Sequence, residues 1–558
     1  MALDTKLNSA KNKPNQSITG CCHHGQGCIT CKYLSPVNVK ALEPWLMKYP
    51  DKSSAEVLLN GFSNGFKLGY MGERAPRDSP NLKSVKLDPE TVLKKLDKEI
   101  GMGRIAGPFK SRPLERLMVS PIGLVPKAQP GKFRLIQHLS YPEGSSVNDG
   151  IDPNVSYVRY ESFDTAVGLV ASAGPQSLMA KADIESAFRL LPVHPDDFEL
   201  LGIMMGDQFY VDKALPMGAS CSPALFEKIS TFLEWVAKQV TGSGMISHYA
   251  DDYIFVGVKG QSQGSCSYLF ERFSSLCQEL GVPLATEKSI GPTSKLVYLG
   301  LEINSAQQSV SIPEDKVKSI SAKIEKALGS EKITLKDTQS LIGSLSFVCR
   351  AVSPGRAFLR RLINLTCGIK KHWHLIRLSR GAKADLKMWL IFLQEFNGVA
   401  IIPDQMWVGE EDIELFTDAS GRIGCGGYFK GQWFQSRWPG EIGTTKSITW
   451  LEFFPIVIAI VLWGHTLSGK RIILRSDNEA VVVIVNKQTS KCPHVMKLMR
   501  FMVLQCLKHN ILFCAKHIPG KRNDIADALS RFQMERFREL APKAAAVGIP
   551  VPAFLWTL

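Results

Sequence analysis

Hydrophobic positions change their spacing several times along the chain, and these changes divide it into zones. An apolar-periodic stretch runs from VKALEPWLMKYP to LLNGFSNGFKLGYMG before residue 75. Residues 80–310 alternate strand-like and helix-like runs, which is typical of an α+β domain. Residues 311–395 return to helical spacing in the amphipathic runs VKSISAKIEKAL and LKDTQSLIGSLSFVCRAV. The pattern predicts a mixed domain followed by a helical region.

A second mixed region follows the helical one. Residues 410–532 begin with the strand-like runs IELFTDAS, GCGGYFK and QWFQSRW, and then alternate helix-like and strand-like segments. The run from Phe453 to Trp463 is almost wholly apolar, but it is shorter than the roughly 20 residues that cross a bilayer. We therefore interpret this run as a buried core helix and expect no membrane partner.

The chain of 558 residues is long enough for several cores, and these patterns predict five regions. The predicted regions are an N-terminal region at 1–75, a mixed α+β domain at 80–310, a helical region at 311–400, a second mixed domain at 410–532 and a C-terminal tail at 533–558.

Charge and cysteine usage narrow the partners and the compartment. The chain has 67 Lys and Arg against 52 Asp and Glu, a formal net charge of +15, which fits a polyanionic partner such as nucleic acid. The alternative is a basic protein without such a partner. The 13 cysteines are an odd, dispersed set, and the polar N-terminus has no secretory signal. We expect a reducing compartment, cytoplasmic or nuclear or both, and no secretion.

Carboxylates stand where apolar runs end in the first mixed domain. Asp183 closes an apolar run in SLMAKADIESAFRLLPV, and Asp251 and Asp252 lie between two strand-like runs in MISHYADDYIFVGV. This arrangement predicts a hairpin with the adjacent aspartates at its turn. Adjacent carboxylates repel each other and usually need a cation, and Mg²⁺ prefers carboxylate oxygens together with phosphates. The alternative is a solvated turn, which the apolar strands on both sides disfavour.

Several segments of this domain resemble those of reverse transcriptases, in the order that the family has them. The sequence Tyr249-Ala250-Asp251-Asp252 is similar to the YxDD box. The run SPIGLVPKAQPGKFRLIQHLS resembles the fingers segment, LPMGASCSPALFEKIS the loop and helix beside the nascent base pair, GVPLATEKS the lysine segment near the triphosphate, and VYLGLEI the turn that grips the primer. The resemblance implies a right-hand polymerase of fingers, palm and thumb, with residues 311–400 as thumb and connection.

The resemblance also implies roles for single residues. Asp183, Asp251 and Asp252 would be catalytic and would hold two Mg²⁺ or Mn²⁺ ions. The aromatic ring of Phe188 would exclude the 2′ hydroxyl of a ribonucleotide; the alternative is that it packs in the palm core. The substrate-binding residues would be Lys127, Arg134, Phe188, Met217, Gly218 and Lys288. The helix after the loop has an apolar face for burial, formed by Phe226, Ile229, Phe232, Leu233 and Val236.

Four further carboxylates lie in strand, helix, strand and helix contexts in the second mixed domain: Asp418, Glu452, Asp477 and Asp527. Hydrolysis of RNA in a hybrid uses two cations held by such a set. The run HIPGKRNDIADALSR resembles the closing motif of retroelement ribonuclease H domains, which implies an α/β ribonuclease H-like fold with two bound Mg²⁺ or Mn²⁺ ions. Many family members have a histidine after the Pro-Gly, whereas this chain has Lys521 there and His517 before it.

Taken together, the resemblance implies an enzyme that copies retrotransposon RNA into DNA and degrades the RNA of the hybrid. Its partners would be an RNA template, a DNA primer, the RNA–DNA hybrid and deoxynucleoside triphosphates. The layout, with LLNGFSNGFKLGY ahead of the polymerase, resembles DIRS-like elements of the Ngaro group, which pair this enzyme with a tyrosine recombinase. A truncated gypsy-like chain is an alternative. A domesticated, inactive nucleic-acid-binding remnant is the alternative in function, and the retained carboxylates disfavour it.

The N-terminal region carries a cluster of cysteines and histidines. Candidate zinc ligands are Cys22, His24, Cys28 and Cys31, in which Cys28-x-x-Cys31 has the spacing of a zinc half-site. The cluster does not fit the spacing of a retroviral zinc knuckle. The alternative is a flexible segment with reactive thiols.

Overall fold

The protein is described by a computed structural model over residues 29, 33–127, 131–258, 260, 264–395, 400–401, 415–509 and 511–558. It divides into two compact units, one of residues 1–166 and 178–293, the other of residues 167–177 and 294–558. The helical region and the second mixed domain share one unit, so this division is coarser than the predicted one. The predicted domain boundaries stay predictions.

The first unit mixes helices and strands, as the sequence predicts. Its helices are α1 (Val39–Lys48), α2 (Lys52–Asn64), α3 (Lys83–Leu87), α4 (Pro89–Gly101), α5 (Val147–Gly150), α6 (Pro153–Ser156), α7 (Phe163–Ala173, whose residues 167–173 belong to the second unit), α8 (Ser222–Thr241) and α9 (Cys266–Glu279). Its strands are β1 (Ile105–Phe109), β2 (Ile122–Pro126), β3 (Phe133–Gln137), β4 (Leu178–Asp183), β5 (Gly202–Met205), β6 (Gln208–Asp212), β7 (Ile246–Tyr249), β8 (Asp252–Gly257) and β9 (Ile290–Thr293).

The main sheet of the first unit has the strand order β7–β8–β4–β9. Helices α8 and α9 pack on it, because each presents an apolar stripe at helical spacing. All of the residues predicted for the buried face of α8 are buried: Phe226, Ile229, Phe232, Leu233 and Val236. Helices α1 and α2 lie in the apolar-periodic stretch before residue 75, and α2 packs against α8.

A smaller sheet and a hairpin complete the first unit. Strands β1, β6 and β5 form one sheet, and β2 pairs antiparallel with β3. Helix α4 packs on β1 and helix α3 on β2. Apolar residues of these elements, Val92 and Ile122 among them, form a separate core cluster. The β2–β3 hairpin is thereby fixed to a core of its own.

The second unit also mixes helices and strands. Its helices are α10 (Glu314–Gly329), α11 (Leu335–Val348), α12 (Arg360–Thr366), α13 (Arg380–Glu395), α14 (Ile442–Thr445), α15 (Ile448–Trp463), α16 (Glu479–Lys487), α17 (Pro493–Lys508), α18 (Asp524–Ser530) and α19 (Met534–Leu540). Its strands are β10 (Lys295–Tyr298), β11 (Leu301–Asn304), β12 (Ser309–Ser311), β13 (Lys332–Thr334), β14 (Leu375–Arg377), β15 (Ala400–Ile401), β16 (Leu415–Ala419), β17 (Gly424–Phe429), β18 (Gln432–Arg437), β19 (Arg471–Ser476) and β20 (Leu512–His517).

The last part of this unit is built from an antiparallel sheet and a parallel pair. Strands β16, β17 and β18 follow one another antiparallel, and β19 pairs parallel with β20. Helix α15 contains the predicted run from Phe453 to Trp463, and most of that run is buried, so the interpretation as a core helix is confirmed. In the described part of the chain, no helix is both long enough and apolar enough to span a membrane.

The segment after residue 532 packs onto this unit. The indole N–H of Trp433 donates to the carbonyl of Ala545 at 2.7 Å, and Lys497 Nζ donates to the carbonyl of Thr557 at 2.8 Å. Leu555 is fully buried. Its composition predicted a tail, yet its apolar residues pack on residues distant in sequence, as Trp556 does on Trp438 and Phe454.

Candidate active sites

The first candidate site is the turn of the β7–β8 hairpin together with the end of β4. Tyr249 pairs with Asp252 across the hairpin, and Ala250 has a positive φ of 51°, so the turn forms where the sequence predicts it. Asp183 is the Cα partner of Asp252 on the neighbouring strand. The amide of Ile184 donates to the carbonyl of Asp251 at 3.0 Å. The fold thus brings together Asp183, Asp251 and Asp252, the first carboxylate cluster.

The carboxylates of this cluster repel one another. Burial, and then the charge of Asp183, raise the pKa of Asp251. Burial, and then the charges of Asp251 and Asp183, raise the pKa of Asp252 to about 6. The Nζ atom of Lys288 donates to both Asp183 oxygens, at 2.8 and 3.0 Å. Burial alone would lower the pKa of Lys288, but Asp183 and the two other aspartates raise it. The ionised form of each of these groups is therefore stabilised by an opposite charge nearby.

Further cations lie around the β2–β3 hairpin. Arg134 on β3 pairs with Val125 on β2, and the amide of Lys127 donates to the carbonyl of Lys132 at 2.8 Å. Burial lowers the pKa of Lys127, and the charges of Arg134, Lys95, Lys288 and Lys132 lower it further. The charges of Lys288 and Arg134 in turn act on Asp251. Lys127, Arg134 and Lys288 thus form a basic group beside the acidic one, suited to a phosphate chain.

The loop with Met217 and Gly218 lies against β3. A Cβ atom on Gly218 would approach the carbonyl oxygen of Gln137 to an impossible distance, so only glycine fits there. Asn148 donates to the Gly218 carbonyl at 3.0 Å and accepts from the Ser220 amide at 2.9 Å. The side chain of Met217 is exposed. Asn148 therefore positions the loop, and sequence reasoning missed it because it lies about 70 residues away.

Phe188 lies between the core and the surface. It belongs to a short 3-10 helix, Ala187–Leu190, and its half-buried ring meets Phe226 of α8 edge-on at 5.4 Å between centroids. Ser186 and Ala187 both have a positive φ, at 64° and 26°. Backbone strain of this kind is kept only where surrounding contacts fix the chain. Both roles predicted for Phe188, exclusion of the 2′ hydroxyl and packing in the palm core, are compatible with this position.

A buried histidine ties the hairpin to helix α8, and the sequence did not point to it. His248 on β7 lies 2.5 Å from Glu234 and 3.2 Å from Glu227, both on α8. Its neighbour across the hairpin, Tyr253, donates to the carbonyl of Ser230 at 2.8 Å. Burial would lower the pKa of His248, but its two carboxylate partners raise it to about 9. The imidazole is therefore cationic at neutral pH and holds the strand that carries Tyr249.

The second candidate site lies in the second unit. One carboxylate oxygen each of Asp418, Glu452 and Asp477 lies within 4.8 Å of the others, and we call these residues the second carboxylate cluster. Asp418 stands on β16, Glu452 is the fifth residue of α15, and Asp477 follows β19. Burial, and then the charges of Asp418 and Asp477, raise the pKa of Glu452 to about 9. Burial raises the pKa of Asp418 to about 6.

Two residues hold Asp418 that sequence reasoning missed. Ser530 Oγ donates to Asp418 Oδ2 at 2.6 Å, and Asn523 Nδ2 donates to Asp418 Oδ1 at 3.3 Å and to the Thr417 carbonyl at 3.0 Å. Both side chains are buried; Asn523 directly precedes helix α18, and Ser530 is its last residue. The closing sequence NDIADALS contains them, so the signal was present, but its aspartates drew attention away from its neutral residues.

Asp527 does not join the second cluster. Its oxygens lie 2.6 Å from Arg531 Nε and 2.8 Å from Arg536 Nη1. Burial would raise the pKa of Asp527, but these two hydrogen bonds lower it. Three of the four predicted carboxylates come together, and the fourth is paired with arginines.

The second cluster has the geometry of a cation site, since one carboxylate oxygen of each residue lies within 4.8 Å of the others. Carboxylate oxygens are the ligands that Mg²⁺ and Mn²⁺ prefer, and each cluster contains a carboxyl group whose pKa is raised by burial and then by repulsion from its neighbours. A divalent cation would relieve that repulsion. The predicted zinc ligands Cys22, His24, Cys28 and Cys31 lie outside the described residues, and so zinc binding stays a prediction.

A family of known proteins matches the segment that contains the first site. Residues 108–303 match the family "Reverse transcriptase (RNA-dependent DNA polymerase)". "Polyprotein P3" of Commelina yellow mottle virus is 21% identical over 378 residues, which are 65% of this chain and 18% of that protein. "Protein P" of Duck hepatitis B virus (strain China) is 27% identical over 168 residues, 30% of this chain and 20% of that protein. The chain spans about a fifth of the length of these relatives.

Among solved structures, a foamy viral protease-reverse transcriptase in complex with double-stranded DNA has a TM-score of 0.47 at 16% identity, covering 87% of this chain and 82% of that one. The same enzyme with an RNA/DNA hybrid has a TM-score of 0.46 at 15% identity, covering 87% of this chain and 63% of that one. The family match includes the first carboxylate cluster and Lys127, Arg134 and Lys288. Residues 108–303 are thus a reverse transcriptase domain of the kind found in viral and retroelement polyproteins.

Proposed function

We propose that the chain is an RNA-directed DNA polymerase. The observation that carries the proposal is the cross-strand pair of Asp183 and Asp252 at the turn that holds Asp251, with Lys288 bonded to Asp183. The match of the surrounding segment to reverse transcriptases supports it. The partners would be an RNA template, a DNA primer and deoxynucleoside triphosphates.

The residues of the first site have distinct tasks in this chemistry. The three aspartates would bind two Mg²⁺ or Mn²⁺ ions, which supply activation of the primer 3′ hydroxyl and stabilisation of the leaving pyrophosphate. Lys127 and Arg134 bind and orient the triphosphate through charge-assisted hydrogen bonds. Lys288 balances the charge of Asp183. Gly218 lets the loop backbone lie close to β3, where Met217 is exposed towards the substrate.

Primer extension by the Asp251→Asn variant tests this proposal. Synthesis on primed RNA and primed DNA should fall by about a thousandfold or more, since a cation ligand is lost. The matched control is Asp207→Asn, which removes an exposed carboxylate in the turn between β5 and β6 and should extend primers normally. Near-normal synthesis by Asp251→Asn would refute the assignment.

We propose a second activity, cleavage of RNA in an RNA–DNA hybrid, for the second carboxylate cluster. Its support is the convergence of Asp418, Glu452 and Asp477 within 4.8 Å, on elements that follow the strand, helix, strand order of the sequence prediction. Two bound Mg²⁺ or Mn²⁺ ions would supply a nucleophilic water and charge stabilisation at the scissile phosphate. Asn523 and Ser530 orient Asp418. Asp527, held by Arg531 and Arg536, would act from the edge of the site.

Hybrid cleavage by Glu452→Gln tests this second proposal. The rate should fall at least about a thousandfold, while primer extension by the same protein stays within about twofold. The matched control is Glu535→Gln, which changes an exposed glutamate on α19. Unchanged cleavage would mean that the nuclease site lies elsewhere. Absence of both activities from the unaltered protein would favour the alternative, a domesticated nucleic-acid-binding remnant.

The finer assignment is also a proposal. The sequence layout supports a DIRS-like element of the Ngaro group, in which a tyrosine recombinase is encoded separately or downstream. A genomic neighbourhood that encodes such a recombinase would support this placement, and a neighbourhood with a DDE-type integrase would contradict it.

A further inference from the structure

An exposed tryptophan stands in a basic stretch of the second unit. The side chain of Trp373 is 72% exposed, although tryptophan is highly buried in most proteins. Residues 368–380, GIKKHWHLIRLSR, contain lysines, arginines and histidines but no acidic residue. Lys371 Nζ lies 5.9 Å from the Trp373 ring centroid. Residues 368–377 are called the basic tryptophan loop below.

The backbone of this loop is fixed by hydrogen bonds to helix α11 and its preceding strand. The amides of Leu335 and Lys336, at the start of α11, donate to the carbonyls of His374 at 2.8 Å and His372 at 3.1 Å. The amide of His374 donates to the Lys371 carbonyl at 3.0 Å, and β14 then pairs with β13. The loop carbonyls thus satisfy amides that a helix N-terminus leaves free. The indole is thus exposed to solvent on a backbone held by these hydrogen bonds.

The composition of the loop indicates the chemistry of its ligand. An exposed indole face stacks on a nucleobase, and neighbouring lysines contact the phosphates on either side of that base. In a duplex each base is already stacked on its neighbours, so the face is available only on an unpaired nucleotide. Arg377 is partly engaged by Glu331 at 2.5 Å, which leaves Lys370 and Lys371 as the cations nearest in sequence to the indole.

We propose that the basic tryptophan loop binds an unpaired stretch of single-stranded RNA or DNA, with Trp373 stacked on a base and Lys370 and Lys371 on the flanking phosphates. The loop is a binding surface in its own right and includes no residue of either carboxylate cluster. It needs no divalent cation and no catalysis. Its test therefore stands or falls separately from the two proposed activities.

Equilibrium binding of the full chain in EDTA measures the stacking contribution. Labelled oligo(U) and oligo(dT) serve as single-stranded probes, and a blunt RNA–DNA hybrid serves as the paired probe. Trp373→Ala should weaken single-strand binding about tenfold or more, whereas hybrid binding should change less than about twofold. Trp373→Phe should retain most of the affinity, because a phenyl ring still stacks. The control Leu87→Ala removes another side chain that is 84% exposed and should change neither affinity.

Salt dependence measures the phosphate contacts. The double variant Lys370→Ala/Lys371→Ala should reduce the slope of log affinity against log salt by about 1.4, at about 0.7 for each single-strand phosphate. Lys470→Ala/Lys508→Ala, which removes exposed lysines at the far end of β19 and β20 from Asp477, should leave the slope unchanged.

Three results would overturn the proposal. One is single-strand affinity that Trp373→Ala leaves unchanged, and another is an equal loss on single strands and on the hybrid. The third is Trp373-dependent binding to vesicles of phosphatidylserine with single-strand binding unaffected, since a basic tryptophan loop also suits an anionic membrane surface.

Discussion

The two carboxylate clusters differ in what balances their charge. In the first, a lysine bonds directly to Asp183, and the charges of Lys288 and Arg134 both act on Asp251. In the second, Asp418 is held by neutral groups, Ser530 and Asn523, and the nearby arginines bond to Asp527 instead. Burial, and then the charges of Asp418 and Asp477, raise the pKa of Glu452 to about 9, beyond that of Asp252 at about 6.

This difference agrees with the ligands that the two sites would bind. A nucleoside triphosphate brings several negative charges, so a site for it needs cationic side chains beside its acids. A phosphodiester brings one, and acids that face it depend mainly on the metal ions for charge balance. Counter-charge, rather than the number of aspartates, therefore distinguishes the first cluster from the second in this chain.

The first prediction, with the largest expected effect, concerns the ribose 2′ hydroxyl, which the first site should reject and the second should accept. Phe188→Val should open the wall beside the sugar and raise incorporation of ribonucleotides relative to deoxyribonucleotides by about a hundredfold. The measurement is the ratio of kcat/KM for a ribonucleotide and its deoxy counterpart. An unchanged ratio with a loss of stability of about 1–3 kcal/mol would make Phe188 a core residue packed on Phe226.

The second prediction tests the counter-charge of the first cluster. Lys288→Ala should lower kcat/KM for deoxynucleoside triphosphates by about tenfold to a hundredfold, because a charge-assisted bond to Asp183 is lost. Hybrid cleavage should not change. The control Lys295→Ala is matched in exposure, 58% against 57%, and also pairs with a carboxylate, that of Glu302. An equal effect of both variants on polymerisation would contradict a specific role for Lys288.

The third prediction tests the neutral support of the second cluster. Ser530→Ala removes the 2.6 Å bond to Asp418 and should slow hybrid cleavage about threefold to tenfold without affecting primer extension. Ser530→Thr retains the hydroxyl and should keep more of the rate. If Ser530→Ala cleaves at the normal rate, Asn523 alone suffices to orient Asp418.

The fourth prediction, with the smallest expected effect, concerns how the stability of the first unit depends on pH. Because the pKa of His248 is raised to about 9, its ion pairs with Glu227 and Glu234 stabilise the fold fully below about pH 6.5 and lose this effect as the pH rises through 9. The free energy of unfolding should fall between these values by up to about 1.4 kcal/mol per pH unit. His248→Gln should flatten that dependence in urea titrations. A slope that the variant retains would have to come from other groups.

Local pattern predicted much of both sites. The end of β4 at Asp183, the hairpin turn at Asp251, the buried face of α8 and the burial of α15 all follow from short-range periodicity and turn chemistry. These features depend on residues within a few positions of one another. The order of the segments along the chain indicates the reverse transcriptase family without reference to the fold.

Only the tertiary structure decided which groups neutralise which. Lys288 bonds to Asp183 across 105 residues, and Ser530 to Asp418 across 112, and no periodicity encodes such pairs. Asp527 is different, because its partners Arg531 and Arg536 lie only 4 and 9 residues further along the chain, and the first is an i, i+4 pair of the kind that sequence spacing can predict. Sequence specifies where a carboxylate stands on its strand or helix, but its charge balance is set by side chains that packing brings from elsewhere. That long-range packing gives the two clusters different chemistry, although both contain an aspartate at the end of an apolar strand.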